Sequence, residues 1–382
     1  MKRSTDRILT THTGSLPRPP DLLEMIQARE RGDPYDTQAF QDRLRTAVAD
    51  IVRRQVEAGI DIVSDGELGK PSFATYVKNR ISGFNGQNPE RRIFADRAEF
   101  SEWNAQTGPP SYTMTTRPFC TAPLSWQDRS AVDMDIANLK AALAHVPAEE
   151  AFIPAASLGI IAEIMLNQYY ATEEEYLFAL AEVMKEEYRA IAAAGFLVQI
   201  DAPDAAMGRH AQFWNRSLAD FRRALSLRVE ALNHALSDIP EDQIRYHICW
   251  GNYEGPHTHD VPLKDIVDLM LAVRAGAYSV EAANPRHAHE WQVWEEVTLP
   301  EGKILIPGVI DSTTNFVEHP EVVAQRIVQY ANLVGRENVI AGTDCGFGTS
   351  AGIPRVHPTV MWAKFRALAE GARLASQRLW GR

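Results

Sequence analysis

A (β/α)8 TIM barrel with an insertion after its second strand is the α/β fold class this sequence predicts, on three observations. Short apolar runs rich in β-branched residues recur eight times, and longer amphipathic stretches separate most of them. Four of those stretches close on Ala-Gly or Val-Gly, a helix stop set just before the next strand. Eight parallel strands close a barrel, and 382 residues, 45% of them hydrophobic, are ample for one large core.

The elements follow in order. ILTTHTG (8–14) reads as the first strand, and QDRLRTAVADIVRRQVEAG as a helix leading to the second, DIVSDG (61–66). Residues 83–135 break the rhythm, being rich in Gly, Pro, Asn and charge, and SYTMTTRPF within them alternates like an antiparallel hairpin. This insertion is expected to stay within a single catalytic domain, 1–382, and to cover part of the barrel mouth. AFIPAA (151–156) is the third strand, and EEEYLFALAEVMKEEYRAIAAAG leads from it to the fourth, FLVQID (196–201). IRYHIC (244–249) is the fifth, and LKDIVDLMLAVRAG connects it to AYSVEA (277–282). KILIPGVI (303–310), the helix EVVAQRIVQYANLVG and NVIAGTD (338–344) complete the set.

Composition narrows the function. The net charge is −11 with no run of Lys or Arg, which argues against nucleic acid as a partner. No segment approaches the roughly 18 apolar residues of a membrane span, and MKRSTDRILTTHTG lacks the apolar centre of a signal peptide. The expectation is a soluble, cytoplasmic protein acting on small molecules, with a homo-oligomer left open. Cys120, Cys249 and Cys345 are too few and too far apart for a disulfide framework, so their thiols are free for metal or catalysis.

A barrel brings the carboxyl ends of its strands to one face, where the active site forms. The polar residues at those ends are His12, Thr13, Ser15, Asp65, Glu67, Asp201, His247, Cys249, Glu281, Asp311, Asp344 and Cys345. Among them, His247, Cys249, Glu281 and Cys345 supply one imidazole, two thiolates and one carboxylate. Zn²⁺ takes four such ligands tetrahedrally, and thiolates favour it over magnesium or calcium. Residues 247 and 249 point to the same side of a strand and so can reach one ion. Taken singly, each residue has a plainer explanation: a buried core pair, a partner for Arg286, a small filler in TDCGFG. His-Thr-His at 257–259 and His-Ala-His at 287–289 also have metal-like spacing, but both lie in polar segments where solvated histidines are usual.

HIC, SVE, GVID and TDCGF, in that order, resemble the catalytic barrel of cobalamin-independent methionine synthase. TTHTGSLPRP is similar to that family's first-strand substrate loop, SDGE to its second-strand acid, and QIDAP to its QIDEP. The resemblance covers seven strand ends and most of the chain, though not 83–135. It implies a zinc-dependent S-methyltransferase, with zinc on His247, Cys249, Glu281 and Cys345. Homocysteine's amino and carboxyl groups would be held by Glu67, Asp201 and the Thr13–Ser15 loop. The sequence also departs from the family. Thr313 stands in DSTTN where the family has a histidine two residues past its Asp, and PAASLGII lacks the tryptophan of the folate site. An alcohol is a poor general acid, which leaves His12 and Asp311 as the catalytic candidates at the rim. Activated donors such as methylcobalamin or a sulfonium are therefore expected to outperform methyl-tetrahydrofolate. The competing readings are an epoxyalkane:coenzyme M-type thiol alkyltransferase, a metal-free decarboxylase barrel and a structural zinc barrel. A sulfonate thiol would call for Arg or Lys where this chain has Glu67 and Asp201.

Overall fold

The computed structural model describes residues 1–89, 94–107, 117–352 and 355–381. The strands in chain order are β1 (Leu9–Thr10), β2 (Ile62–Ser64), β3 (Ile81–Asn85), β4 (Phe119–Trp126) and β5 (Glu150–Ala156). They continue with β6 (Leu197–Asp201), β7 (Ile244–His247), β8 (Ala277–Val280), β9 (Ile304–Ile310) and β10 (Ile340–Thr343). Eight of them form one sheet in the order β1-β10-β9-β8-β7-β6-β5-β2. Every pairing in it is parallel, and a parallel bridge between Thr11 and Ile62 joins its two ends into a barrel. These are the eight expected strands, and the fold is the expected TIM barrel.

The strands are buried along their length, because helices cover them outside and side chains fill them inside. Toward their amino-terminal ends, Leu9, Ile62, Phe152, Leu197, Ala277, Ile304, Ile306 and Ile340 form their own apolar cluster and plug the barrel. β7 contributes an arginine to this interior. The Arg245 guanidinium lies 3.9 Å over the Phe152 ring and donates to Thr11 Oγ1 and His12 O, each at 3.0 Å.

Helix starts follow their caps. Asp36 accepts from Ala39 N to open Thr37–Glu57, and Thr172 accepts from Glu175 N to open Glu173–Ala193, whose first turn carries three glutamates against the positive end of the helix dipole. The stretch LKDIVDLMLAVRAG is less regular than its periodicity suggests. It yields a 3₁₀ turn, Leu263–Asp265, and a short helix, Val267–Leu271, separated by Ile266 at φ −134°.

The excursion lies between β2 and the helix Ser130–Leu143, which packs against Thr37–Glu57 as a barrel helix. It therefore starts and ends earlier than 83–135. Its hairpin is β3 against β4, with Ser82 opposite Ser125. Of the expected hairpin SYTMTTRPF, residues 111–116 lie outside the described residues, and the arm that pairs runs from Phe119. Two short helices, Ala95–Glu99 and Ser101–Thr107, belong to the same excursion.

Candidate active site

β7 ends on His247, and the chain stays extended long enough for Ile248 N to donate to Ser279 O. This carries Cys249 to the same side as His247. Cys345 arrives from the end of β10. Its neighbour Asp344 accepts three backbone N–H groups, of Ala282, Ala283 and Asn284, each at 2.8 Å, and so locks the β8 and β10 loops together. Gly346 is required next, since a Cβ there would meet Ser15 Oγ at 2.0 Å. The ligand atoms of His247, Cys249 and Cys345 lie within 4.8 Å of one another, and all three residues are buried.

His247 Nδ1 shares a 3.1 Å hydrogen bond with Ser279 Oγ, its register partner on β8, while its Nε2 is buried with no hydrogen-bond partner. The two thiols lie against one another. The contact with Cys345 holds the Cys249 thiol well below its ordinary range, with burial opposing and His247 assisting. The same contact, with burial, pushes Cys345 up. Glu281 is buried beside them but turned away: its Oε1 accepts from Trp250 N at 2.9 Å and its Oε2 from Asn284 Nδ2 at 2.9 Å. Burial first, and then the Cys249 charge, raise its carboxyl well above the usual range. Of the expected quartet, then, three donors converge and the fourth is held one step back by a backbone amide and an asparagine.

Above the thiols is a cavity of about 650 Å³ lined by Thr13, Ser15, Glu67, Asp201, His247, Cys249 and Cys345. Phe73, Asn88, Phe94 and Arg97 line its other side, so the excursion covers the mouth as expected. Glu67 adopts φ 54°, a left-handed conformation uncommon for a side chain of its size, and its buried Oε2 has no hydrogen-bond partner. Lys70 Nζ is 3.9 Å from that oxygen. Burial raises the Glu67 carboxyl, with Lys70 opposing. Burial, then the Glu67 charge, raise Asp201 well above its ordinary value. Asp201 accepts from Gln199 Nε2 at 2.9 Å, and the same amide reaches Thr13 O, tying the β1 loop to β6. Gly14, at φ +131°, permits that loop, since a Cβ there would meet Pro154 Cγ at 2.5 Å.

Two expected catalytic groups do not line this cavity among the described residues. His12 donates from Nε2 to Gln55 Oε1 at 2.7 Å and accepts at Nδ1 from Gly14 N at 3.1 Å. Burial pulls its imidazole down to about 3, with Arg245 adding to the effect. Both nitrogens of His12 are thus committed to ordering the first loop, and its ring, the expected general acid, is not in the lining of this cavity. Asp311, the other expected catalytic group, is also outside the lining. Its Oδ1 accepts from the backbone N–H and hydroxyl of Thr313, and its Oδ2 from those of Thr314, so the carboxylate is spent on closing its own turn.

Other residues here were not singled out from the sequence. Ser279 could have been found from register, as it lies two residues before Glu281 and opposite His247. Asn252, at φ 47°, donates to Gly346 O at 2.8 Å and accepts from Ser312 Oγ at 2.9 Å, bracing three loops; its only signal was its place after Trp-Gly. One histidine of each His-x-His pair behaves unexpectedly: His257 and His287 are drawn inward onto Asp260, while His259 and His289 stay exposed.

Fold and mouth together define a barrel enzyme with a thiol–imidazole centre at its strand ends. The chain belongs to the cobalamin-independent synthase family, whose catalytic-domain model matches residues 8–93 and 166–364. Most of the excursion falls in the unmatched interval. The chain is 27% identical over 338 residues to the methionine synthase of Thermococcus kodakarensis, covering 88% of this chain and 86% of that one. It is 26% identical over 347 residues to that of Pyrococcus furiosus, covering 88% and 85%. Its fold matches the B12-independent methionine synthase of Shewanella sp. W3-18-1, determined in complex with selenomethionine, with a TM-score of 0.73, 19% identity and 98% and 100% coverage.

Proposed function

We propose that this mouth binds zinc through His247, Cys249 and Cys345, with Glu281 alongside, and methylates the sulfur of homocysteine to give methionine. The family and its methionine synthase relatives make the chain a methyltransferase acting on small molecules. The observation that carries the metal is a His247 ring nitrogen within 4.8 Å of two thiol sulfurs, on a ring whose buried Nε2 has no hydrogen-bond partner. One imidazole and two thiols is a donor set that suits zinc. Zinc at such a centre lowers the pKa of a thiol brought to it, so that the sulfur is nucleophilic at neutral pH.

The chain's own groups do the positioning. Ser279 fixes the His247 ring, and the Asp344 clasp fixes Cys345. Two desolvated carboxyls, Glu67 and Asp201, suit the substrate's ammonium group, and Thr13 and Ser15 are placed for its carboxylate. Those acids would repel a sulfonate, so an amino-acid thiol fits better than one of the coenzyme M type. The chain works as one catalytic unit over 1–382, with the excursion as its cover. No helix of the described residues is long and apolar enough to cross a membrane, and small-molecule chemistry of this kind suits the cytoplasm.

The test is a metal-reconstituted assay with homocysteine, its des-amino analogue 4-mercaptobutyrate and coenzyme M, each with a panel of labelled methyl donors. Methionine formation well above alkylation of the other two thiols is expected. A preference for coenzyme M would overturn the substrate, and full activity in metal-free protein would overturn the zinc.

A further inference from the structure

We propose that His257, Asp260 and His287, with His210 on a fourth side, form a second site for one divalent transition-metal ion, separate from the thiol centre. The ligand atoms of the first three lie within 4.8 Å of one another. His257 Nδ1 is 2.7 Å and His287 Nε2 is 2.9 Å from the same carboxylate oxygen, Asp260 Oδ2. His210 Nδ1 stands 2.9 Å from the other oxygen, Oδ1, without the alignment of a hydrogen bond. Metal–nitrogen and metal–oxygen bonds of 2.0–2.1 Å put neighbouring donors about 2.9 Å apart in an octahedral shell and about 3.3 Å apart in a tetrahedral one, so the donors stand close to octahedral spacing and would open slightly for a tetrahedral ion.

The hydrogen count makes the stronger argument. A neutral imidazole carries one N–H and one lone pair. The second nitrogen of His257, Nε2, is 2.8 Å from Tyr253 O, and that of His287, Nδ1, is 2.8 Å from Glu290 Oε2. Both partners are acceptors, as is Asp260. Each ring therefore faces acceptors on both sides, which calls for a second positive centre, either a second ring proton or a metal ion. One divalent ion between the rings and Asp260 supplies both at once and leaves the outer nitrogens to donate. Metal-binding histidines are typically oriented in this way, by a carbonyl or carboxylate on the far nitrogen. With imidazole and carboxylate donors and no thiol, the site suits an ion of the zinc or ferrous type. Asp260 and His287 side chains are 3% exposed and that of His257 is 12%, so the site is enclosed with one side open for entry.

The site would pin the mouth. Asp96, on the excursion, accepts from Tyr253 O–H and from the backbone N–H groups of His257 and His259. An ion on His257 and His287 thus ties the β7 and β8 loops together and, through Asp96, holds the cover.

Cobalt(II) titration of metal-stripped protein tests this, with metal content measured alongside. Wild type should take up two equivalents, one with intense sulfur-to-cobalt charge-transfer absorption and one with weak d–d bands only. Cys249→Ser/Cys345→Ser should keep the second alone, and this arm leaves the cluster untouched. His257→Gln and His287→Gln should each lose the second and keep the charge-transfer equivalent, which also reports an intact barrel mouth. A wild type that takes up the charge-transfer equivalent alone, a double-cysteine variant that takes none, or a thiol-free equivalent surviving both histidine changes overturns the second site. Because the two equivalents are read separately, failure of the thiol centre is distinguishable from failure of this one.

Discussion

β1 and β7 each deliver a buried histidine to the mouth end of the barrel and use it in opposite ways. His12 is 1% exposed and His247 is 2% exposed, so burial does not separate them. Partners do. Both nitrogens of His12 are committed, to Gln55 and to Gly14, whereas His247 commits only Nδ1, to Ser279, and leaves Nε2 buried without a partner on a ring grouped with two thiols. A buried polar atom without a partner costs on the order of 1–3 kcal/mol, a cost that a bound ligand can recover. The uncommitted nitrogen, not the histidine as such, marks the reactive end.

The largest effects should therefore come from the β7 end. Cys249→Ser or Cys345→Ser should lose zinc and, with it, about 10³-fold or more in kcat/KM. Ser279→Ala leaves the ligands in place but frees the His247 ring, and should weaken metal binding by about 10–100-fold. Metal content and kcat/KM on the same preparations check both. Full zinc in both cysteine variants would erase the distinction between the two histidines.

An intermediate effect should appear where the β1 loop meets the acids. Asp201→Asn and Glu67→Gln each remove one charged partner of the ammonium, worth about 1.5–3 kcal/mol. KM for homocysteine should rise about 10–100-fold while KM for 4-mercaptobutyrate stays nearly fixed. Equal losses for both thiols would count against the ammonium site. The pH dependence has a definite sign. Burial raises both carboxyls in the free protein. Below the raised values they carry protons that an incoming ammonium must displace. The ratio of homocysteine to 4-mercaptobutyrate affinity should therefore climb as pH rises through that upshifted range, then level off. A ratio that falls with rising pH would contradict it.

The parts legible in the sequence were those fixed by periodicity and strand-end position. Eight apolar runs gave eight barrel strands, and the His-x-Cys spacing put His247 and Cys249 on one side of β7. Strand-end position carried Cys345 and the two acids to the same mouth, and the resemblance gave the acids their role. What stayed hidden depends on which partner a side chain finds. Glu281 lies in place but is turned to Trp250 N, Asp311 closes its own turn, and His12 has a glutamine from the helix Thr37–Glu57 across from it. The grouping of His257 with His287 needs two loops to fold over one aspartate, and no spacing records that.

The smallest effect on chemistry should come from His12→Asn, the change that would have been the most damaging had His12 been the acid. Its ring is out of the cavity lining and neutral, so kcat should change little with methyl-tetrahydrofolate or with methylcobalamin. A loss confined to the folate donor would return the acid role to His12. The cost should appear in stability instead, about 1–2 kcal/mol at neutral pH for the hydrogen bonds to Gln55 and Gly14. The acid limb gives a sharper signature. The His12 imidazole sits at about 3 when folded against 6.5 in a free chain. Between those values the unfolded state binds a proton that the native state refuses, so the wild type loses stability as pH falls from about 6.5 toward 3. Asparagine has no such proton to bind. Urea unfolding of both proteins from pH 7 to pH 4 should show the gap close on acidification and then reverse, because every other titrating group is shared. A gap that stays constant would mean that His12 is protonated in the folded protein, and with it the contrast between the two strand ends would fail.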